Sequence, residues 1–395
     1  MRTIPRRLVA LGLSALFLSS CLGPTQARDV KALPRDTAPA LKMADFILAL
    51  QSKEGAIADS PGAATANNDS NMEYALMALG AAYSFTRDAR YLTGLQKGIA
   101  WLADREDMTS THWRGSWYLQ YSATPPYREF PAPGGPGATN VRGVDATSAL
   151  FVYLLYLDHR LTGSNALVRT YYRNAQAALD FVITRDLARG NGLSSSSWLY
   201  YPASRQWRLY KEEYAADQGD VYLGMRAASL LYHSVRYAAI ADTLRQKTPV
   251  SIFNAAEGRY ALGLSSDGTL DNETDGYDEG FTQGYLSWIW GNTAQDRAGM
   301  KWLRARVRGD GAIVTKANAP AYSLNVAMLG LGDIGVAVSA PGKSFSWMLS
   351  HTYDARNGGV YDSLRAGDRI EYDNVAAFCS MGLLRFAPFT TTTAR

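Results

Sequence analysis

The sequence predicts an all-α protein: an (α/α)6 toroid of six helical hairpins, with small β-hairpins in the long loops. Three observations carry that prediction. One unit recurs along the chain, namely a long polar loop, an acidic helix start, a helix apolar almost all round, a short turn and an amphipathic helix. A helix with no polar face must be surrounded by protein, so these members form an inner layer and the amphipathic ones an outer layer. Loops after the outer helices are mostly long and those after the inner helices mostly short, which puts the long loops at one end. An open solenoid would share the period. Closure is favoured because solenoid repeats hold a fixed length, whereas these loops vary as the walls of one cavity do.

Residues 1–20 stand outside the fold. Arg2, Arg6 and Arg7 precede an apolar run at 8–18, too short to span a membrane. Leu18-Ser19-Ser20-Cys21 resembles a bacterial lipobox, whose cysteine is lipidated and becomes the mature N-terminus. An ordinary secretory signal with an incidental cysteine is the alternative, and either reading exports the protein. The expected organisation is a signal at 1–20, a tether at 21–37, one domain at 38–388 and a tail at 389–395. Localisation follows: an exported bacterial lipoprotein, held in a membrane through Cys21 and facing the periplasm or the exterior. Removing residues 1–20 takes three arginines and no acid, so the formal charge falls from +4 to +1. No basic stripe suggests nucleic acid. Cys379, the other cysteine, reads as a small buried hydrophobe, and no intramolecular disulfide is expected.

Within the domain the first helix falls at about 38–51, with Leu41, Ala44, Ile47 and Leu48 at helical spacing. The second opens at Asn68-Asp69-Ser70-Asn71, where Ser70 and Glu73 read as a capping box, and continues as a nearly all-apolar run. After Thr86-Arg87-Asp88 a third helix extends to about 105. Residues 106–144 form the longest loop, with Trp113, Trp117, Tyr118, Tyr121 and Tyr127 among prolines and glycines. Loops this long are functional or disordered, and the aromatic content argues for the former. The fourth helix opens at Asp145, where the orphan N–H groups and the positive end of the helix dipole favour a carboxylate. A fifth follows at about 164–184. Residues 193–213 and 250–270 read as β-hairpins, as does the stretch from Gly358 to Asp373. The remaining helices are expected at about 216–231, 235–246, 278–290, 294–307, 321–331, 344–353 and 374–386.

The segments NDSNMEYALMALGAAYSFTRDARYL and VDATSALFVYLLYLDHRLTGSNAL resemble inner-helix/outer-helix units of the six-hairpin glycosidase superfamily. Its members are glycoside hydrolases, some polysaccharide lyases and sugar epimerases on one toroidal fold. The resemblance covers most of 38–386 and is architectural. It implies a glycan-active enzyme and transfers no single family's catalytic residues.

Candidate chemistry lies at the inner-helix starts: Asp69, Asp145, Asp217 with Asp220, Asp278 with Glu279, and Glu371 with Asp373. Each alone could be a cap. Doubling is more than a cap requires: two carboxylates in a partly desolvated pocket repel, so one keeps its proton near neutral pH and can act as an acid. Glycosidic cleavage needs such a pair. Asp145, Asp217 and Asp220 are the leading catalytic candidates, with Asp69, Asp278, Glu279, Glu371 and Asp373 as further site residues. Trp113, Trp117, Tyr118, Tyr121 and Trp198 are expected to pack on sugar rings, and Arg142 to meet their hydroxyls. The four histidines show no metal-ligand spacing, and no P-loop, dinucleotide fingerprint or G-x-S-x-G elbow occurs. No metal or cofactor is therefore expected. The partner is a polysaccharide or oligosaccharide, bound by a monomer. Glycoside hydrolysis leads. The alternatives are a polysaccharide lyase using Arg142 or Arg114 with a tyrosine, and a non-catalytic glycan-binding or assembly lipoprotein.

Overall fold

The structure is a computed structural model that describes residues 37–272, 278–338 and 342–389. Cys21 and the expected signal and tether up to residue 36 lie outside the described residues. Thirteen helices run through them: α1 Ala38–Leu50, α2 Asn71–Thr86, α3 Ala89–Arg105, α4 Asp145–Thr162, α5 Ala166–Thr170, α6 Tyr172–Phe181 and α7 Ala215–Tyr232. The second half holds α8 Val235–Ser251, α9 Asp278–Trp290, α10 Ala294–Arg304, α11 Ser323–Gly335, α12 Gly342–His351 and α13 Asp373–Leu384.

Helices α2, α4, α7, α9, α11 and α13 pack each on the next, and α13 closes on α2, so the inner ring is complete. The remaining helices lie outside it. Inner helices are apolar all round because both faces are covered. In α4, every residue from Asp145 to Leu155 is buried. Outer helices α3, α6 and α10 bury only one stripe and face solvent with the rest. The architecture is the (α/α)6 toroid that the alternating pattern predicts.

Several local readings differ from the structure. The fifth predicted helix breaks at Tyr171 into α5 and α6, then widens into a π turn at Val182–Asp186. Helix α8 continues to Ser251, carrying Pro249 in its last turn. Ser70 and Glu73 form no capping box: Ser70 takes a left-handed conformation (φ 65°), and its hydroxyl sits 2.8 Å from that of Thr147. The capping box observed is Thr293 with Asp296, at the start of α10. The 193–213 hairpin forms from Ser197–Tyr201 and Gln206–Tyr210, and Asn140–Arg142 adds an unforeseen third strand from the long loop. Residues 250–270 make two short ladders, Phe253–Asn254 with Arg259–Tyr260 and Gly263–Leu264 with Leu270–Asp271. Between Gly358 and Asp373 only isolated pairings occur, such as Tyr361 with Glu371. No helix of the described residues is long and apolar enough to cross a membrane.

Candidate active site

The N-terminal ends of the inner helices converge on a cavity of about 320 Å³. Asp69, Asn71 and Tyr74 line it from the start of α2, Ala146 from α4, and Tyr214, Ala216 and Asp217 from α7. Leu262, Phe281 and Thr282 line the next sector, and Asn374 and Phe378 come from α13. The Asn374 amide donates to Oδ1 of Asn71 at 2.7 Å and ties α13 to α2 at the wall.

Local backbone geometry places Asp69. Asn67, Asp69 and Ser70 all have positive φ, at 54°, 53° and 65°. Non-glycine residues held there cost energy, and such outliers concentrate at functional sites. The turn is tied down by Asp69 N–H donating to the Leu119 carbonyl at 3.1 Å and by the Ser70–Thr147 contact. Asp69 therefore stands in the cavity, open to solvent yet encircled by protein, and that encirclement raises its carboxyl above the ordinary range. Asp217 faces the same space from the first turn of α7. Burial holds its carboxyl well above the ordinary range, and the charges of Asp69 and Asp220 add to the effect.

Among the described side chains, the other predicted carboxylates do not line the cavity. Asp220 lies one turn deeper in α7, accepts the Tyr74 hydroxyl at 2.8 Å and the Tyr285 hydroxyl on its other oxygen, and is pushed up to about 8, chiefly by burial. Asp145 is fully buried and its Oδ1 accepts the Ala146 N–H at 2.8 Å. Burial keeps its carboxyl well above the usual range, with Asp217 and then Asp186 contributing. Asp373 is likewise buried at the start of α13, caps Asn374 N–H at 2.8 Å and is raised by burial and by Asp59. Glu371 accepts from Asn357 at 2.8 Å, away from the cavity. Glu279 pairs with Arg259 at 3.6 Å, whose guanidinium lies over Trp302. The side chain of Asp278 lies outside the described residues.

The predicted aromatic wall is also elsewhere. Trp117 is fully buried, and its Nε1 donates to the Leu102 carbonyl at 2.8 Å. Tyr121 is buried, with its hydroxyl donating to the Arg105 carbonyl at 3.3 Å. Trp113 and Tyr118 hold the Arg142 guanidinium at 4.6 and 4.5 Å, and Arg142 is ion-paired with Asp107 at 3.0 Å. Trp198 meets Trp113 edge-on at 5.6 Å and donates to Oδ1 of Asp186 at 3.2 Å. These rings and Arg142 brace the long loop against the three-stranded sheet. The rings that do line the cavity are Tyr74, Tyr214, Phe281 and Phe378. All four lie within apolar helix starts or just before one, where sequence reading sees only core. Asp186, buried beside Asp145, was hidden by a π turn that has no sequence signature. Among the described residues no group of three or more His, Cys, Asp or Glu could hold a metal ion.

Two carboxylates that reach one cavity from different helices cannot both ionise freely. Such a pair can supply one proton donor and one proton acceptor.

No protein-family model matches the chain, and no curated protein matches it in sequence. Solved structures do match in shape. A glycosidase superposes with a TM-score of 0.59 at 10% identity, over 89% of this chain and 98% of its own. An unsaturated glucuronyl hydrolase solved with dGlcA-Glc-Rha-Glc gives 0.58 at 12% identity, over 89% and 96%. The cellobiose 2-epimerase of Bacillus thermoamylovorans B4167 gives 0.63 at 12% identity, over 89% and 98%. At these identities the likeness is one of fold: the chain shares the (α/α)6 toroid of these sugar-acting enzymes.

Proposed function

We propose that the protein is a glycoside hydrolase acting on a polysaccharide or oligosaccharide, with Asp217 as general acid and Asp69 as general base. The observation that carries this reading is the joint exposure of these two carboxylates to one cavity. Asp217 is the more deeply set and keeps its proton; Asp69 is the wetter and can take one from water. Asp217 protonates the glycosidic oxygen as its bond to the anomeric carbon breaks. Water adds to that carbon and gives its proton to Asp69. Phe281, Phe378 and the two tyrosines offer faces to sugar C–H bonds, while Asn71, Asn374 and Thr282 offer partners for hydroxyls. Asp145 and Asp220 stand behind the wall, and the cost of adding charge beside them helps Asp217 keep its proton.

A lyase reading is weaker, because no arginine or lysine among the described residues lines the cavity to neutralise a uronate. A purely binding role leaves the mutual repulsion of Asp69 and Asp217 without a purpose. We further propose that the chain is exported and lipid-anchored through Cys21, and that it works as a monomer. A Cys21→Ser variant is then lost from the membrane fraction. The decisive experiment incubates the full chain with a panel of polysaccharides and follows new reducing ends together with unsaturated products. New reducing ends without unsaturation support hydrolysis, whereas unsaturated products overturn it.

A further inference from the structure

Several buried acids elsewhere in the protein have a counter-ion, whereas the cluster around the cavity has none among the described residues. Glu213, Glu279, Asp333 and Asp354 are all buried, and each meets an arginine. Among the described residues Asp69, Glu73, Asp145, Asp217, Asp220 and Asp373 form no ion pair. The charges that act most strongly on these six are one another's and those of Asp59 and Asp186. Glu73 Oε2 and Asp373 Oδ2, on fully buried side chains at the ends of α2 and α13, find no hydrogen-bond donor among the described residues. Buried acids left unpaired in this way are costly. A bowl of carboxylates walled by Tyr74, Tyr214, Phe281 and Phe378 has the composition that receives an organic cation, with acid oxygens for its N–H donors and ring faces for its charge.

We propose that the substrate carries free amines: the cavity takes a hexosamine unit of an oligosaccharide, with its ammonium group on the Asp69 side of the bowl, beside Asp69 and the carboxylates behind it. This rests on the hydrolase reading of the same cavity and adds the substrate class. A neutral sugar leaves the acids as they are, and a uronate is repelled. An N-acetylated hexosamine has lost the charge that the bowl answers. An ammonium entering the bowl favours the ionised form of its neighbours, so binding at weakly acidic pH, where the free amine is already fully protonated, expels protons into solvent.

The test titrates the full chain by calorimetry with trimers of glucosamine, N-acetylglucosamine, glucose and galacturonic acid, at weakly acidic pH in two buffers of different ionisation heat. The glucosamine trimer is expected to bind at least about ten-fold more tightly than the others. Its binding should release protons and weaken as salt is added, and Asp69→Asn should erase most of the preference. Equal binding of the four, preference for any other trimer, or binding of the glucosamine trimer without proton release overturns the proposal. Product analysis on the same samples separates the two readings. Cleavage with no preference for amines leaves the hydrolase and removes the amine. Amine-selective binding with proton release but no new reducing ends does the reverse.

Discussion

Tyr74 stands in the cavity wall and donates its hydroxyl to Oδ2 of Asp220 at 2.8 Å. Tyr285 donates to the other oxygen, so one buried carboxylate joins α2, α7 and α9 directly beneath the site. Burial pushes Asp220 from its ordinary value of 3.8 up to about 8. Between those values the folded chain binds a proton that the unfolded chain has released. Stability from this group is therefore full at low pH and is lost as pH rises towards about 8. The slope for one such proton is at most about 1.4 kcal/mol per pH unit. Thermal midpoints of the wild type should fall between weakly acidic and weakly basic pH, and those of Asp220→Asn should fall less. Glu73 and Glu106, both also raised to about 8, keep the variant's profile from becoming level. Parallel profiles for the two proteins would mean that Asp220 does not titrate in this range.

Asp69 and Asp217 are the residues whose loss should remove chemistry without removing the fold. Neither carboxylate is needed to satisfy a neighbouring buried donor in the way that Asp220 satisfies two tyrosines. Asp69→Asn and Asp217→Asn are each expected to lower kcat by roughly 10²–10⁴-fold, the usual worth of a positioned acid or base. Their circular dichroism and thermal midpoints should match the wild type. Glu371→Gln, whose carboxylate accepts from Asn357 away from the cavity, should retain full turnover. Activity surviving in both aspartate variants would return the catalytic role to Asp145 or to a residue not yet considered.

The ring of hairpins was legible because burial on all faces leaves a plain mark on composition: MEYALMALGAAY and ATSALFVYLLYL have no polar side, so they must be inner. The convergence of acidic helix starts was legible for the same reason, since a closed ring directs all of them to one end. Which carboxylate reaches the cavity was not. Asp145 and Asp217 both occupy the first turn of an inner helix, yet one is sealed behind Ala146 and the other is open. That difference comes from the loops that cover each start, and loop paths have no period to read. Asp69 was read as one helix start among several, although three left-handed residues present it to the cavity. The tryptophans misled for a physical reason as well. A loop 106–144 that is long and rich in glycine and proline needs large side chains to hold it, so its rings brace the loop.

Arg142 is such a brace. The residue is 5% exposed, and its guanidinium lies between Trp113 and Tyr118 and pairs with Asp107. Arg142→Ala leaves that acid without its partner and opens the ring stack, at an expected loss of about 1–3 kcal/mol. Arg142→Lys should recover little, because an ammonium cannot stack as a planar guanidinium does. Urea unfolding measures both. The KM of whichever variant folds should be close to wild type, since Arg142 does not line the cavity; a large rise in KM with unchanged stability would make it a substrate contact after all.

The inner ring depends on close approach between neighbouring helices, and Gly224 of α7 is where that dependence is sharpest. A Cβ added there would lie 2.4 Å from the carbonyl oxygen of Ala149 and 2.7 Å from its Cα, both backbone atoms of α4. Backbone cannot rotate aside as a side chain can, so the methyl of Gly224→Ala must push α7 away from α4. Overpacking of this kind costs about 1–3 kcal/mol, partly offset by the better helix propensity of alanine. Gly342, at the start of the outer helix α12, has nothing within 4 Å of the same position. Gly342→Ala should therefore be neutral or slightly stabilising. In urea the midpoint of Gly224→Ala should drop with an unchanged slope, while that of Gly342→Ala should hold or rise. Because α4 and α7 carry Ala146 and Asp217 into the same wall, separating them also widens the cavity, so Gly224→Ala should lose turnover even under conditions where it is fully folded. Equal midpoints for the two alanine variants would show that the α4–α7 seam tolerates expansion, and the tight ring would then not be what positions the acids.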